Sequence, residues 1–202
     1  MDILSILFGN EAKVRIMRLF LFNQETVFDI KMICEKSKVN KKIVKREISI
    51  FEKIKLIKKK DFTKINKNKK NKFTKIKNIG YYLNQDFYYI TALKQLLIKT
   101  KMLENGEIVK KLSRTGKLKL IIIAGIFIQN DDSRVDLFIV GNNINKTTLN
   151  NAIKSIEAEL GKELVYVYFE TQDYQYRLSM YDKLIRDVLD YPHQVLLDKI
   201  SG

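Results

Sequence analysis

Between Lys38 and Lys77 the chain carries 17 Lys or Arg against three acids, Glu47, Glu52 and Asp61. That is a surplus of +14 out of a net +15 for all 202 residues, and the rest of the chain holds 21 basic and 20 acidic side chains. A segment charged in this way cannot be buried, so each helix or strand in it must confine its apolar residues to one face. A basic block attached to a neutral remainder points to a polyanionic partner, with nucleic acid first. The competing reading is a solvated lysine-rich surface arising from compositional bias, but such a bias should enrich lysine everywhere.

The block's internal pattern is regular. Asp29 is placed to cap a short helix over residues 30–35, and Asn40 to cap a longer one, KKIVKREISIFEKIK. In that second helix Ile43, Val44, Ile48, Phe51 and Ile54 recur at helical spacing, while Lys41, Lys42, Lys45, Arg46 and Ser49 occupy the opposite face. Upstream, residues 2–22 form an amphipathic pattern with Leu7, Val14, Leu19 and Leu21 on the apolar side and Arg15 and Arg18 on the polar side. Thr26-Val27-Phe28 is a brief β-prone stretch. Downstream, LIKKKDFTKI and KFTKIKNIGYYLN alternate apolar and basic residues about an Asn/Lys-rich turn, which predicts a hairpin.

Two helices joined by a short turn and followed by a basic hairpin resemble a winged helix-turn-helix over roughly residues 8–84. The run ISIFEKIKLIKKK is similar to the passage that ends the recognition helix in many bacterial and archaeal winged-helix regulators. It departs from them at Lys55, where those proteins place Gly; a left-handed helix end costs Lys about 1 kcal/mol more than Gly. The resemblance implies double-stranded DNA as partner and Asn40, Lys41, Lys42, Lys45, Arg46 and Ser49 as the groove-facing residues. On that resemblance Arg46 would read guanine by a bidentate contact, and the lysines would hold phosphates. The wing lysines Lys64, Lys67, Lys69, Lys70 and Lys72 would lie along the backbone or in the minor groove. RNA binding by the hairpin stays open as a further reading.

Helices are expected over residues 87–100 and 106–114; in winged-helix proteins a helix after the wing often makes a homodimer contact, and otherwise these helices pack domains together. Beyond them the pattern changes. LKLIIIAGIFI (118–128), RVDLFIVG (134–141) and ELVYVYFET (163–171) read as strands, residues 147–160 as an amphipathic helix, and 178–189 and 195–200 as closing helices interrupted at Pro192. The fold class is therefore α+β: a winged helix-turn-helix (1–84), connecting or dimerisation helices (85–116), and an α/β mixed sheet (117–202).

The tract from the Ala124-Gly125 turn through DDSRVDLFIV resembles the opening of minimal nucleotidyltransferases of the DNA polymerase β superfamily. There a Gly-Ser turn approaches nucleotide phosphates, and two Asp one residue apart hold metal ions. Carried over, the small turn is Ala124-Gly125, the serine is Ser133, the first Asp is Arg134, the second is Asp136, and a loose third carboxylate is Glu170. A guanidinium in place of a ligand opposes a divalent cation by several kcal/mol, an order-of-magnitude figure, even at a generous dielectric. Asp131 and Asp132 precede the strand in a turn and cannot substitute.

The expectation is thus a degenerate, catalytically inactive nucleotidyltransferase-like domain without metal or cofactor. Arg134 and Asp136 are then either structural, or part of a vestigial pocket with Ala124, Gly125 and Ser133 that takes a nucleotide or other anion and serves ligand sensing or assembly. The rival is an active nucleotidyltransferase that uses the winged helix to hold nucleic acid. Taken whole, GIFIQNDDSRVDLFIVG and IRDVLDYPHQVLLDKI are similar to tracts in uncharacterised archaeal and candidate-phylum bacterial proteins described as transcriptional regulators.

Other chemistry is thin. The lone His193 and lone Cys34 make neither a zinc cluster nor a dyad, and no Walker loop or GxGxxG turn occurs. The stretch TQDYQYRLSMYDK reads as a helix packing aromatics on a sheet rather than stacking bases. One cysteine, no cleavable leader pattern and no apolar run near the roughly 18 residues of a membrane span suggest a cytoplasmic chain without a membrane partner.

Overall fold

In a computed structural model the structure describes residues 3–67, 73–98, 103–130 and 132–200, with backbone alone for 64–67 and 73–76. It is a mixed α+β chain with two small sheets. The chain forms two units: Met1–Thr100 with Ala158–Lys162, and Lys101–Glu157 with Glu163–Gly202.

The first unit opens with α1 (Ile3–Leu7) and α2 (Glu11–Phe22). The single helical pattern expected over residues 2–22 is broken because Asn10 caps α2, its side chain accepting from Lys13 N at 3.0 Å. Arg18, expected on the polar side, is 2% exposed. Its Nε donates to the Leu97 carbonyl at 3.1 Å and its Nη1 to the Glu159 carbonyl at 3.1 Å. Side-chain polarity places Arg in water by default, but an elongated cation can also satisfy the free carbonyls at helix ends.

Helices α3 (Ile30–Ser37) and α4 (Lys41–Lys53) start where the caps were read: Asp29 accepts from Met32 N at 2.7 Å and Asn40 from Ile43 N at 3.0 Å. Helix α4 ends in a Schellman motif. Leu56 N donates to Phe51 O (2.9 Å), Lys55 N donates to Glu52 O (3.0 Å), and Lys55 sits at φ 64 in the left-handed region. The chain then runs into β1 (Ile57–Lys67), which pairs antiparallel with β2 (Phe73–Leu83) from Ile57↔Leu83 to Lys67↔Phe73. The β-prone stretch before α3 contributes one bridge, Phe28↔Tyr81, with both N–H···O bonds at 2.8 Å. Gly80 beside it has no room for a side chain, since a Cβ would collide with Val27 and Phe62. Val14, Ile16, Phe20, Phe28, Ile33, Val44, Ile48, Phe51, Leu56, Ile57 and Leu83 fill the core, with Phe20 edge-on to Phe28. Ile54, read as apolar-face, is instead 50% exposed at the helix end. After β2, α5 (Ile90–Leu97) completes this unit.

The second unit begins with α6 (Asn105–Leu112) and holds β3 (Lys117–Ile123), β4 (Leu137–Asn142), most of α7 (Lys146–Leu160), β5 (Tyr166–Glu170), α8 (Thr171–Ser179), α9 (Lys183–Asp190) and β6 (Gln194–Asp198). The sheet order is β5-β4-β3-β6, with β4 and β5 parallel and the other pairs antiparallel. Strands β3 and β4 are central and buried on both faces, which is why they read as continuous apolar runs. Leu120, Ile122, Phe138 and Val140 share a core with Tyr174 of α8 and Ile185 and Val188 of α9.

Four expectations need correction. The helix over 178–189 is broken, since α8 ends at Ser179 and α9 starts at Lys183. The strand over 118–128 stops at Ile123, and Gly125–Phe127 forms a 3-10 turn. The strand over 134–141 starts only at Leu137, so Arg134 and Asp136 precede it. Residues 195–200 were expected to be helical, yet Gln194–Asp198 is a strand on β3. A six-residue segment, VLLDKI, is too short for periodicity to separate helix from strand, and the edge of β3 decides the outcome.

Candidate functional site

The outer surface of α4 follows from its caps and its core face. Val44, Glu47, Ile48 and Phe51 are buried, so Lys42, Lys45, Arg46, Ser49 and Lys53 emerge together on the opposite side, with Lys41 at the N-terminal end. Asn40 is exposed, but its side-chain oxygen is committed to capping. Ile50, 39% exposed, lies beside Ser49 on this surface. The hairpin adds exposed Lys58, Lys59, Lys60 and Lys77. Two of these charges are offset: Lys58 by Asp86 at 3.1 Å and Lys59 by Glu52 at 3.5 Å. Lys64 and Lys67 fall within β1, where only the backbone is described; Lys69, Lys70 and Lys72 lie outside the described residues.

Glu47 escaped the sequence reading, where it counted only as an acid in a basic segment. It is 1% exposed, and Arg46 Nε and Nη2 reach its Oε1 at 3.1 and 2.7 Å. Adjacent residues on a helix diverge by about 100°, so nothing in the spacing suggests that they meet.

In the second unit the residues expected to form a vestigial pocket separate into two groups. Asp136 is a backbone staple. Its Oδ1 accepts from Ile126 N and its Oδ2 from Val165 N, both at 2.9 Å. Its own N–H donates to the Val165 carbonyl (2.7 Å), and its carbonyl accepts from Ala124 N (2.9 Å). Gly125 adopts φ 52, and any Cβ there would overlap the Asp136 carboxylate. Three further amides of the turn bond inward, Phe127 N to Ala124 O and both Ile128 N and Asn130 N to Gly125 O. A phosphate-binding turn presents such N–H groups outward; here the turn is folded onto Asp136. Glu170 acts similarly, its carboxylate accepting from Asn143 N (3.2 Å) and Ile144 N (3.3 Å).

Ala124, Ser133 and Arg134 do line one cavity of about 410 Å3, together with Asp132, Val135, Lys183, Asp187, Val188, Tyr191 and Pro192. Gly125 and Asp136 are not among its walls. Arg134 pairs there with Asp187 (Nε to Oδ2 2.6 Å), not with Asp136, and Ser133 Oγ is buried without a hydrogen-bond partner. Two cations and two carboxylates give this cavity no net charge. Among the described residues no group of three or more His, Cys, Asp or Glu could hold a metal ion, and no helix is long and apolar enough to cross a membrane.

The remaining polar and aromatic side chains have local roles. His193 lies between α9 and β6 rather than between two helices, its Nδ1 2.9 Å from the Tyr191 carbonyl. Burial pushes the Cys34 thiol above its ordinary range, against thiolate reactivity. Tyr174 packs edge-on to Phe138, and burial raises its phenol likewise. Tyr176 and Tyr181 of the same stretch are exposed. Comparison with protein-family models, with curated proteins and with solved structures finds no match to this chain, so its functional reading rests on the geometry just described.

Proposed function

We propose that the chain is a sequence-specific, double-stranded-DNA-binding transcriptional regulator. The observation that carries this reading is the basic outer face of α4. That helix is capped by Asn40, preceded by α3 across a short turn, and followed by the β1–β2 hairpin. Together with the single bridge at Phe28, this is the element order of a winged helix, in which α4 enters the major groove and the hairpin follows the backbone. The second unit, with Asp136 and Glu170 both committed to backbone amides, is read as a nucleotidyltransferase-like fold without transfer chemistry that serves ligand sensing or assembly. A homodimer fits the exposed Tyr88, Tyr89 and Leu96 at and before α5.

If half of the 17 basic residues in the block each neutralise one phosphate, log affinity should fall with log salt at a slope of roughly −7 to −8. Fluorescence titration of labelled duplex DNA across a salt series measures this. A duplex affinity that is undetectable or insensitive to salt would remove the proposal, and tighter binding to structured RNA at equal salt would redirect it.

A further inference from the structure

Arg46 and Glu47 are neighbours in sequence but point to opposite sides of α4: in side-chain terms Arg46 is 62% exposed and Glu47 1%. The guanidinium folds back over the helix so that Nε and Nη2 both donate to Glu47 Oε1. That same oxygen accepts from Asn10 Nδ2 at 3.1 Å, and Lys13 Nζ stands 3.9 Å from Oε2. Asn10 is itself fixed as the cap of α2. A buried carboxylate without partners is costly; here Arg46 and Asn10 hold Oε1, while Oε2 makes no hydrogen bond and has only the Lys13 charge nearby. The pair therefore belongs to the core on one side and to the basic surface on the other.

A guanidinium has five N–H donors in a rigid plane. Glu47 uses Nε–H and one Nη2–H, which leaves two on Nη1 and one on Nη2; one from each lies side by side on the Nη1/Nη2 edge of this exposed side chain. Two donors side by side on a fixed plane match the O6 and N7 acceptors of guanine in the major groove. An unrestrained exposed arginine would have to give up rotamer freedom to reach that geometry, whereas Arg46 is already held.

Building on the DNA-binding reading above, we infer that Glu47 is a positioning residue, holding Arg46 from beneath so that its Nη1/Nη2 edge reads one guanine, and tying that reader to α2 through Asn10. Glu47 touches no base. Its removal should cost discrimination at one base pair and leave phosphate contacts in place.

The test uses the full chain. A duplex selected from a randomised library by the wild-type protein, and each of its single-base-pair variants, are titrated with wild type, Arg46→Lys, Glu47→Gln and the double variant. Wild type should disfavour every replacement of one G·C pair by about tenfold or more. Arg46→Lys and Glu47→Gln should each lose most of that preference at the same pair, keep the wild-type salt slope, and show no further loss when combined. Glu47→Gln discriminating as well as wild type, or weakening all duplexes equally, overturns the proposal. So does Arg46→Lys weakening all duplexes equally, which would make Arg46 a phosphate contact.

A second measurement does not need Glu47→Gln to fold. In a 1H–15N spectrum of wild type, the Arg46 Nε–H signal, assigned by its loss in Arg46→Lys, should exchange with water more slowly than that of exposed Arg114. Equal exchange overturns the pairing. A library that yields no enriched duplex would defeat the DNA reading, and the base-reading role with it, while a protected Nε–H would still report the pair, so the two failures are told apart.

Discussion

Lys55 carries a conformational cost that its side chain does nothing to relieve. It occupies the left-handed position after α4, at φ 64, in a motif whose two hydrogen bonds and whose Phe51–Leu56 apolar pair are otherwise complete. Glycine reaches this region without the Cβ clash, so Lys55→Gly should stabilise the first unit by about 1 kcal/mol, read as a higher midpoint in urea with an unchanged m-value. A lower midpoint would mean that the Lys55 side chain makes a stabilising contact that outweighs its backbone strain. This position was legible through the resemblance of ISIFEKIKLIKKK to the end of a winged-helix recognition helix, in which Gly stands where this chain has Lys55. Asp136 was not. Its place two residues after Arg134 suggested a strand-borne metal ligand, but the strand begins at Leu137 and both carboxylate oxygens hold backbone amides. A carboxylate bonded to two N–H groups and one bonded to a metal look identical in sequence, since the partner is contributed by Ile126 and Val165, 10 and 29 residues away.

Elements were legible where local signals act alone and obscured where a neighbouring element decides. Asn40 and Asp29 are caps because their side chains bond amides three residues on, a contact wholly contained in the local sequence. The strand β6 is the opposite case: VLLDKI has no period of its own, and its conformation is set by β3 across the sheet. Between these extremes lies the break that separates α8 from α9, which falls inside both helical readings made there, over 171–183 and over 178–189. Tyr181 turns left-handed at φ 56, and Asp182 restarts the chain as a cap, accepting from Leu184 N (2.9 Å) and Ile185 N (3.3 Å) while pairing with Arg177 at 3.0 Å. The Ile185 hydrogen bond, followed by Arg177, holds the Asp182 carboxyl below its ordinary range. A depressed folded-state value contributes stability that is present above the unfolded aspartate value near 3.9 and is lost as pH falls through the folded value. Thermal unfolding followed by circular dichroism should therefore show a steeper loss of midpoint between about pH 5 and 3 for wild type than for Asp182→Asn, which keeps a cap acceptor but no charge. Parallel curves would assign the acid sensitivity to other carboxylates.

At the scale of the whole molecule, the segregation of charge marks the surface proposed to meet a polyanion, because net charge is additive and readable from composition. What composition could not show is how many of those charges are available. Lys58 and Lys59 are offset by Asp86 and Glu52, and Arg46 is shared with Glu47, whereas Lys45 stands exposed on α4 between Lys42 and Ser49 with no acid beside it in any described ion pair. Counterion release counts phosphates neutralised, not lysines present, so substitutions within one basic block should separate into two classes. Lys45→Ala should weaken binding to all duplexes alike and reduce the magnitude of the salt slope by about 1. Lys58→Ala, removing a charge already balanced at 3.1 Å, should leave the slope within error of wild type. Equal reductions for both would show that the Asp86 pair opens on binding, and that the hairpin base, not only α4, contacts the backbone. Because each slope is measured on the full chain against one duplex, the difference between the two variants is insensitive to which bases that duplex contains.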